Sequence, residues 1–295
     1  MPSASTAHSA SLDGRLAIVT GGTAGIGLAT ATQLAELGAS VIVASRGKAA
    51  GREAADHINK AVAAPRARHL VLDLSSFASI RGFARELGDC PVSLLINNAG
   101  VMGGPLRRTQ EGFEWHLGIN FMGPFLLSRL LAANLARGTN ARIVQLSSGA
   151  HVMAPFDFED PNYEHKSYEW QMAYWQSKTA CALFAVAAQA RFAGQGIEAF
   201  SASPGIVETN LLSSMDEDAR VGMLRDLAAV VRTPAQAAAN SIYAATSPDL
   251  VGKGGAYIED CAIAPQAAPD ALGGWRPMRS TLTRQSGSGR SPKAG

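Results

Sequence analysis

The chain has 295 residues, 47% of them hydrophobic and 17% charged, enough to bury one large core without dividing into two domains. No run approaches the 18 or so uninterrupted apolar residues of a membrane-spanning helix, and residues 1–11 are Ser/Ala-rich, flexible in character and unlike a secretory signal, so a cytoplasmic address is expected. The formal net charge is +2, but Arg276, Arg279, Arg284, Arg290 and Lys293 crowd into the last twenty residues, which leaves the rest slightly acidic and excludes a basic nucleic-acid binder.

Apolar, β-branched runs alternate with longer segments of helical period, the pattern of a parallel sheet covered by helices on both faces. Strands are predicted at 16–20, 40–44, 69–72, 93–97, 142–146, 198–201 and 256–258. Helices are predicted at 25–37, 48–63, 76–87, 112–136, 170–193 and 234–245. The expected fold class is α/β, a doubly wound sheet of seven parallel strands in a single domain over 12–270, with a Ser/Gly/Arg-rich tail over 271–295 that reads as disordered.

Between the first strand and first helix lies Thr20-Gly21-Gly22-Thr23-Ala24-Gly25-Ile26-Gly27. Glycines there let the backbone turn sharply and approach a pyrophosphate, and the helix N-terminus offers free N–H groups to it. A tight turn without ligand has the same spacing, so the next strand matters. It ends in Ser45-Arg46 and not in an acid. An acid would accept the adenosine ribose hydroxyls and repel a 2′-phosphate, whereas Arg46 can pair with that phosphate, which favours NADP(H) over NAD; a solvated surface charge is the alternative. After the third strand, Asp73-Leu74 can meet the adenine, or Asp73 can cap the following helix, or both. After the fourth come Asn97-Asn98-Ala99-Gly100, small enough to pass beneath a dinucleotide, though Asn98 is equally explicable as architecture.

Within the predicted helix 112–136, Asn120 lies among Ile119, Phe121 and Met122, where it can distort the helix and hold a water that leads from Lys178 to solvent, or sit half exposed. The fifth strand ends in Ser147-Ser148, and a hydroxyl there can donate to a substrate oxygen as charge develops on it; Ser148 is the candidate, with Ser147 packing beneath the cofactor. Then comes Tyr174-Trp175-Gln176-Ser177-Lys178. Positions i and i+4 share a helix face, so phenol and ammonium are neighbours. A cation about 4 Å from a phenolate stabilises it by roughly 4 kcal/mol at an effective dielectric of about 20. Desolvation offsets part of this, but the pair suits proton exchange with an alcohol or carbonyl oxygen. Cys90, Cys181 and Cys261 are odd in number and far apart, and the six His show no ligand pairing, so reduced, mostly buried thiols and no bound metal are expected.

Taken in order, these motifs resemble the short-chain dehydrogenase/reductase family in its shorter, single-domain Rossmann form, over roughly 12–263. The resemblance implies a catalytic tetrad of Asn120, Ser148, Tyr174 and Lys178, with Lys178 also holding the nicotinamide ribose. It implies cofactor contacts from Gly21, Thr23, Gly25, Ile26, Gly27, Arg46, Asp73, Leu74, Asn98, Ala99 and Gly100, and a loop, Pro204-Gly205-Ile206-Val207-Glu208-Thr209, whose Pro204, Gly205, Val207 and Thr209 meet the nicotinamide carboxamide. Arg46, the Asp157 to Tyr163 region and Tyr257-Ile258-Glu259-Asp260-Cys261 look most like the retinol-dehydrogenase-like and WW-domain-oxidoreductase-like branch. Many members assemble through the helices that carry Asn120 and Tyr174, which implies a homodimer or homotetramer.

One departure from the commonest pattern is the 26-position separation of Ser148 and Tyr174, about a dozen longer than in many members. The extra residues, within an insertion at 151–171, include Met153, Phe156, Phe158, Tyr163, Tyr168 and Trp170. They are expected either to wall a pocket for a bulky, apolar or aromatic substrate or to pack as a surface loop; His151 is expected to be structural. The reaction that follows is NADP(H)-dependent hydride transfer to or from a carbonyl or secondary alcohol. The alternative is a dinucleotide-binding sensor or interaction protein with little turnover.

Overall fold

Alternate residues of each central strand face opposite sides of the sheet, and both sides are apolar, so two separate cores form. Ile18, Ile42, Leu95, Ile143 and Ala199 pack on one side against Ile80, Phe83, Leu127 and Phe184. Ala17, Val19, Val41, Val43, Ile96, Val144 and Phe200 pack on the other against Ala31, Leu34, Ile58 and Ala244. These observations come from a computed structural model, which describes residues 11–207, 221–222, 225–226, 230–266 and 274.

The parallel strands are β1 (Leu16–Thr20), β2 (Ser40–Ser45), β3 (Ala67–Val71), β4 (Leu94–Asn97), β5 (Arg142–Leu146), β6 (Glu198–Ala202) and β9 (Tyr257–Glu259). Helices α1 (Gly25–Glu36), α2 (Lys48–Ala61) and α7 (Pro234–Thr246) supply the second core, and α3 (Phe77–Leu87), α4 (Gly123–Leu130), α5 (Ala132–Ala136) and α6 (Trp170–Phe192) supply the first. With β10 at Ala262–Ile263, the strand order β10-β9-β6-β5-β4-β1-β2-β3 reverses direction of winding between β1 and β4. Ligands of such sheets bind outside the carboxyl ends of the strands at this reversal, because the following loops diverge there.

The sheet has eight strands and not the seven expected. Asp260 and Cys261 both take positive φ, 51° and 53°, as a two-residue hairpin turn requires, and fold β10 (Ala262–Ile263) antiparallel onto β9. A strand of two exposed residues has no period to read. A second small sheet joins β7 (Ile206–Val207) to β8 (Val231–Arg232), beside the turn. Asn240 of α7 links these parts: its Nδ2 donates to Ser203 O at 2.7 Å and its Oδ1 accepts from Cys261 N at 2.7 Å.

Three local expectations also change. The helix expected over 112–136 is broken: Arg108 and Glu114 form an antiparallel bridge, Leu117–Met122 winds as a π-helix, and α4 and α5 follow. The cap of α3 is Ser76, whose Oγ accepts from Ser79 N, while Asp73 Oδ1 accepts instead from Ser75 N and Oγ at 2.9 and 2.7 Å. Cys181 alone of the three thiols is buried; Cys90 and Cys261 are exposed. Among the described residues no helix is long and apolar enough to cross a membrane, and no cluster of three metal-ligating side chains occurs.

Candidate active site

A cleft of about 1160 Å³ opens at the carboxyl ends of β1, β2, β4 and β5. Its first half is made by backbone. Gly21 (φ 67°), Thr23, Gly25, Ile26 and Gly27 line it below α1. A Cβ on Gly27 would lie 2.3 Å from Gly21 O and 2.5 Å from Asn98 Nδ2, so only glycine lets α1 start this close to β1. The cap position Ala24 offers no side-chain acceptor, which leaves the first N–H groups of α1 facing the cleft. That cradle, with no acid in the first helical turn, fits a pyrophosphate. Asn98 Nδ2 donates to Thr20 O at 2.9 Å and Thr20 Oγ1 accepts from Ala99 N at 3.0 Å, pinning the end of β4 to β1. Asn98 is therefore architectural and also lines the cleft, as do Ala99 and Gly100.

Arg46 stands exposed at the rim, and among the described residues no carboxylate pairs with it. Asp73 and Leu74 line the same end, and Pro204, Gly205 and Val207 line the opposite one. Thr209 lies outside the described residues, as do Trp275 and most of the loop after Val207.

The second half carries the titratable side chains. Tyr174 and Lys178, both buried, share one face of α6, with Lys178 Nζ 5.6 Å from the centroid of the Tyr174 ring. Nζ also donates to Leu146 O at 3.3 Å, at the end of β5, and Ser147 Oγ donates to Lys178 O at 2.7 Å, so strand and helix are locked together at the charge. Ser147 thus holds α6 in addition to lining the cleft. Ser148 Oγ accepts from Ala150 N at 3.2 Å and caps the single turn Gly149–Val152. With an acceptor role already filled, the hydroxyl proton is left for a ligand oxygen.

Asn120 is 1% exposed, which excludes the half-exposed reading. Its Oδ1 accepts from Val101 N at 2.7 Å, and its Nδ2 donates to Val101 O at 3.0 Å and Ser177 Oγ at 2.9 Å. The π-helical winding frees its carbonyl from the regular ladder, and Gln145 Nε2 and Cys181 Sγ donate to it at 3.1 and 3.2 Å. Asn120 sits behind Gly100, where a Cβ would be 3.2 Å from Asn120 Oδ1 and 3.5 Å from Lys178 Nζ. One buried network therefore joins the π-helix, β5 and α6.

The insertion behaves differently from a pocket wall. Only its end, Trp170 and Gln171, lines the cleft; Met153 and Phe158 are exposed, Phe156 packs edge-on to Phe158, and the Tyr163 and Tyr168 hydroxyls reach Gln176 and Glu114. Indoles from outside it, Trp115 and Trp175, complete the apolar side with Met102 and Ile119. His151 is 2% exposed, with Nδ1 2.8 Å from Ser148 O and its ring 4.6 Å from that of Tyr257, and it does not reach the cleft. Asp160 accepts from the N–H groups of Glu164, His165 and Lys166, and Asp157 pairs with Lys166 at 2.5 Å, which shapes the loop from within. Burial and the charge of Glu114 hold the Tyr163 and Tyr168 hydroxyls well above the ordinary phenol range.

Sequence reading missed Ser177, Gln145, Cys181, Trp115 and Trp175. Ser177 and Trp175 fall inside the YxxxK run, so helical spacing alone would have put Ser177 beside Asn120 once the two helices were known to touch.

A family model described as short chain dehydrogenase matches residues 15–220. Over 256 residues the chain is 43% identical to polyprenol dehydrogenase of Mus musculus, covering 84% of this chain and 76% of that protein. It is 38% identical over 256 residues to retinol dehydrogenase 13 of Mus musculus, covering 85% and 77%. Pseudomonas aeruginosa RhlG, solved as an NADP active-site complex, matches with a TM-score of 0.66 at 27% identity, over 81% of this chain and 92% of that one. With the fold, the cleft and these matches together, the chain belongs to the short-chain dehydrogenase/reductase family, on its retinol-dehydrogenase-like side, and is an oxidoreductase of that family.

Proposed function

We propose that this protein is an NADP(H)-dependent oxidoreductase acting between a carbonyl compound and its alcohol on a bulky apolar or aromatic substrate. The observation that carries the reading is the convergence of Ser148, Tyr174 and Lys178 on the same cleft as the glycine turn. Gly21 to Gly27 would hold the pyrophosphate, Arg46 the 2′-phosphate, Asp73 and Leu74 the adenine end, Asn98 to Gly100 the middle, and Pro204, Gly205 and Val207 the nicotinamide end. The bound dinucleotide supplies the hydride donor or acceptor.

The chain's own residues handle the proton and the developing charge. Tyr174 passes a proton to or from the substrate oxygen. Ser148 donates a hydrogen bond to that oxygen and orients it. Lys178 stands next to the phenol ring, and Asn120 fixes the segment facing α6 through Ser177. Trp115, Trp170 and Trp175 favour an apolar substrate body, in keeping with relatives named for a polyprenol and for retinol. The NADP complex of RhlG supports the cofactor choice alongside Arg46.

The test is turnover of NADPH with retinal, decanal, benzaldehyde and acetone, each with wild type and Tyr174→Phe. Wild type is expected to turn over at least one bulky carbonyl compound faster than acetone, and Tyr174→Phe to lose a factor of about 10² to 10⁴ in kcat. Tight NADPH binding without turnover across the panel would favour the sensor reading, and a variant with more than a tenth of wild-type kcat would remove Tyr174 from its role.

A further inference from the structure

Against the Tyr174 ring, and outside the lining of the cleft, the structure buries a carboxylate and an imidazole that the proposed chemistry does not use. Glu114 is 1% exposed and His116 0%. His116 Nδ1 lies 2.8 Å from Glu114 Oε1, and Leu117 N donates to Oε2 at 2.8 Å. Two residues of the insertion complete the group. Tyr168 OH donates to Glu114 Oε1 at 3.1 Å and lies 3.3 Å from His116 Nδ1, and Asn162 Oδ1 accepts from Glu114 N at 3.0 Å. The His116 ring then meets the Tyr174 ring edge to face, at 6.1 Å between centroids and 73° between planes. His116 Nε2 has no hydrogen-bond partner among the described residues.

For stability alone this is a poor use of a core position. Burying a carboxylate and an imidazole costs several kcal/mol in desolvation, and apolar residues of the same volume serve a core as well or better. Burial alone would push the Glu114 carboxyl up, but the hydrogen bond and charge of His116 and the Leu117 N–H outweigh it and hold the group below its ordinary value, so the carboxylate stays an acceptor. A fixed acceptor at Nδ1 fixes the imidazole plane, much as outer partners orient histidines elsewhere. Each link is rigid: a carboxylate held by donors on both oxygens, a ring held through Nδ1, and a second ring packed on its edge.

We propose that Tyr168, Glu114 and His116 are positioning residues for Tyr174, through which the docked insertion sets the orientation of the phenol ring. The inference rests on the reading of Tyr174 as the proton-transfer group. It gives the long Ser148-to-Tyr174 segment a mechanical part in the reaction: Tyr168 clamps the carboxylate, the carboxylate orients the imidazole, and the imidazole edge backs the phenol. Misplacing a reacting group by about 1 Å can cost on the order of a hundredfold in rate, so loosening the clamp should be visible in kcat.

The test is Tyr168→Phe in the full-length protein. It removes one hydroxyl, keeps the ring edge-on to Tyr163, and changes hydrogen bonds only to Glu114 and His116, which do not line the cleft. Rates are expressed per NADPH-binding site, so a poorly folded fraction does not enter. With whichever of retinal, decanal or benzaldehyde wild type turns over fastest, kcat is expected to fall about tenfold, with substrate KM and NADPH affinity within twofold of wild type. In a Tyr174→Phe background the same substitution is expected to have no further effect on the residual rate, because nothing remains to be positioned. A wild-type kcat for Tyr168→Phe beside an impaired Tyr174→Phe would overturn this inference and leave the functional reading intact. A tenfold loss in both backgrounds, or a rise in KM instead of a fall in kcat, would also overturn it. An unimpaired Tyr174→Phe would fail the functional reading first.

Discussion

The half of the cleft under α1 is walled around Gly21 to Gly27 largely by backbone and small residues, whereas the half under the insertion is walled by indoles and backed by hydrogen bonds between side chains far apart in sequence. In the first, shape is set by where atoms are missing: at Gly27 a single carbon would sit 2.3 Å from a backbone oxygen. In the second, shape is set by partners that must be present, such as Ser177 for Asn120 and Tyr168 for Glu114. A site of the first kind fails when an atom is added, and one of the second kind when an atom is removed. The two halves also suit their ligands. The pyrophosphate is common to both nicotinamide dinucleotides and can be met by main chain, whereas substrates differ and are met by replaceable side chains.

The sharpest way to break the comparison is to add one methyl group to the first half. Gly27→Ala forces Gly21 O or Asn98 Nδ2 to give way, and overpacking of this sort costs about 2 kcal/mol. The expected outcome is a fall in Tm of about 4–8 °C and NADPH affinity weakened tenfold or more, since the displaced atoms are those under the pyrophosphate cradle. Calorimetry and fluorescence titration read both. The control is Gly82→Ala inside α3, where a Cβ meets nothing closer than 4.0 Å; there NADPH affinity should hold and Tm should rise slightly, because alanine replaces glycine within a helix. Equal effects at the two glycines would mean that the close approach of α1 to β1 has no special consequence.

The same contrast explains what could be read from sequence. Missing atoms leave a mark, because glycine is conspicuous: the run from Thr20 to Gly27, with apolar strands on either side, located the turn, the first helix and β1 together. Tyr174 and Lys178 were legible because one helical turn fixes their relation. Glu114 and His116 were not, since a charged and a polar residue two apart at the start of the helix expected over 112–136 carry no hint of burial. The partners of Glu114 in the insertion lie 54 and 48 residues away, and that of His116 lies 52 away, at separations set by tertiary docking and not by any local period. The π-helix at Asn120 was half legible: a polar residue among Ile119, Phe121 and Met122 marks a disturbance, but the winding depends on Gln145 and Cys181 taking the freed carbonyl. β10 escaped because two exposed residues after a tight turn have no pattern.

A smaller effect is expected where the first half does use a side chain. Arg46 is exposed, so a hydrogen-bonded pair with a phosphate is screened and is worth about 1 kcal/mol in place of the 1.5–3 kcal/mol of a sheltered charged bond. Arg46→Ala should therefore weaken NADPH binding about fivefold and leave NADH binding unchanged, by isothermal titration of each cofactor. The asymmetry between cofactors is what matters: equal weakening of both would make Arg46 a general contributor to cofactor affinity and would weaken the case for NADP(H).

The smallest expected effect concerns pH, and it separates the halves by their chemistry. The cradle around Gly27 is backbone, with nothing that titrates, but the insertion docks through phenols, Tyr163 buried and Tyr168 half-buried. Burial first, and then the charge of Glu114, raise the Tyr163 and Tyr168 hydroxyls above the ordinary phenol value of 10.0. The folded protein therefore keeps these protons at pH values where the unfolded chain releases them. Stability from this source is complete below about pH 10 and declines as pH rises through the folded values, because unfolding there is driven by proton release. Tyr163→Phe removes one of these groups while keeping the ring against Tyr168, so between about pH 9 and pH 11 its Tm should fall less steeply than that of wild type. The hydroxyl lost has a long contact, 3.5 Å to Gln176 Oε1, so little stability at neutral pH goes with it and the two curves should converge on the alkaline side. Parallel curves across that range would mean that the insertion docks by packing alone, and the contrast between a backbone-built half and a side-chain-built half would then rest on Glu114 and Asn120 without the phenols.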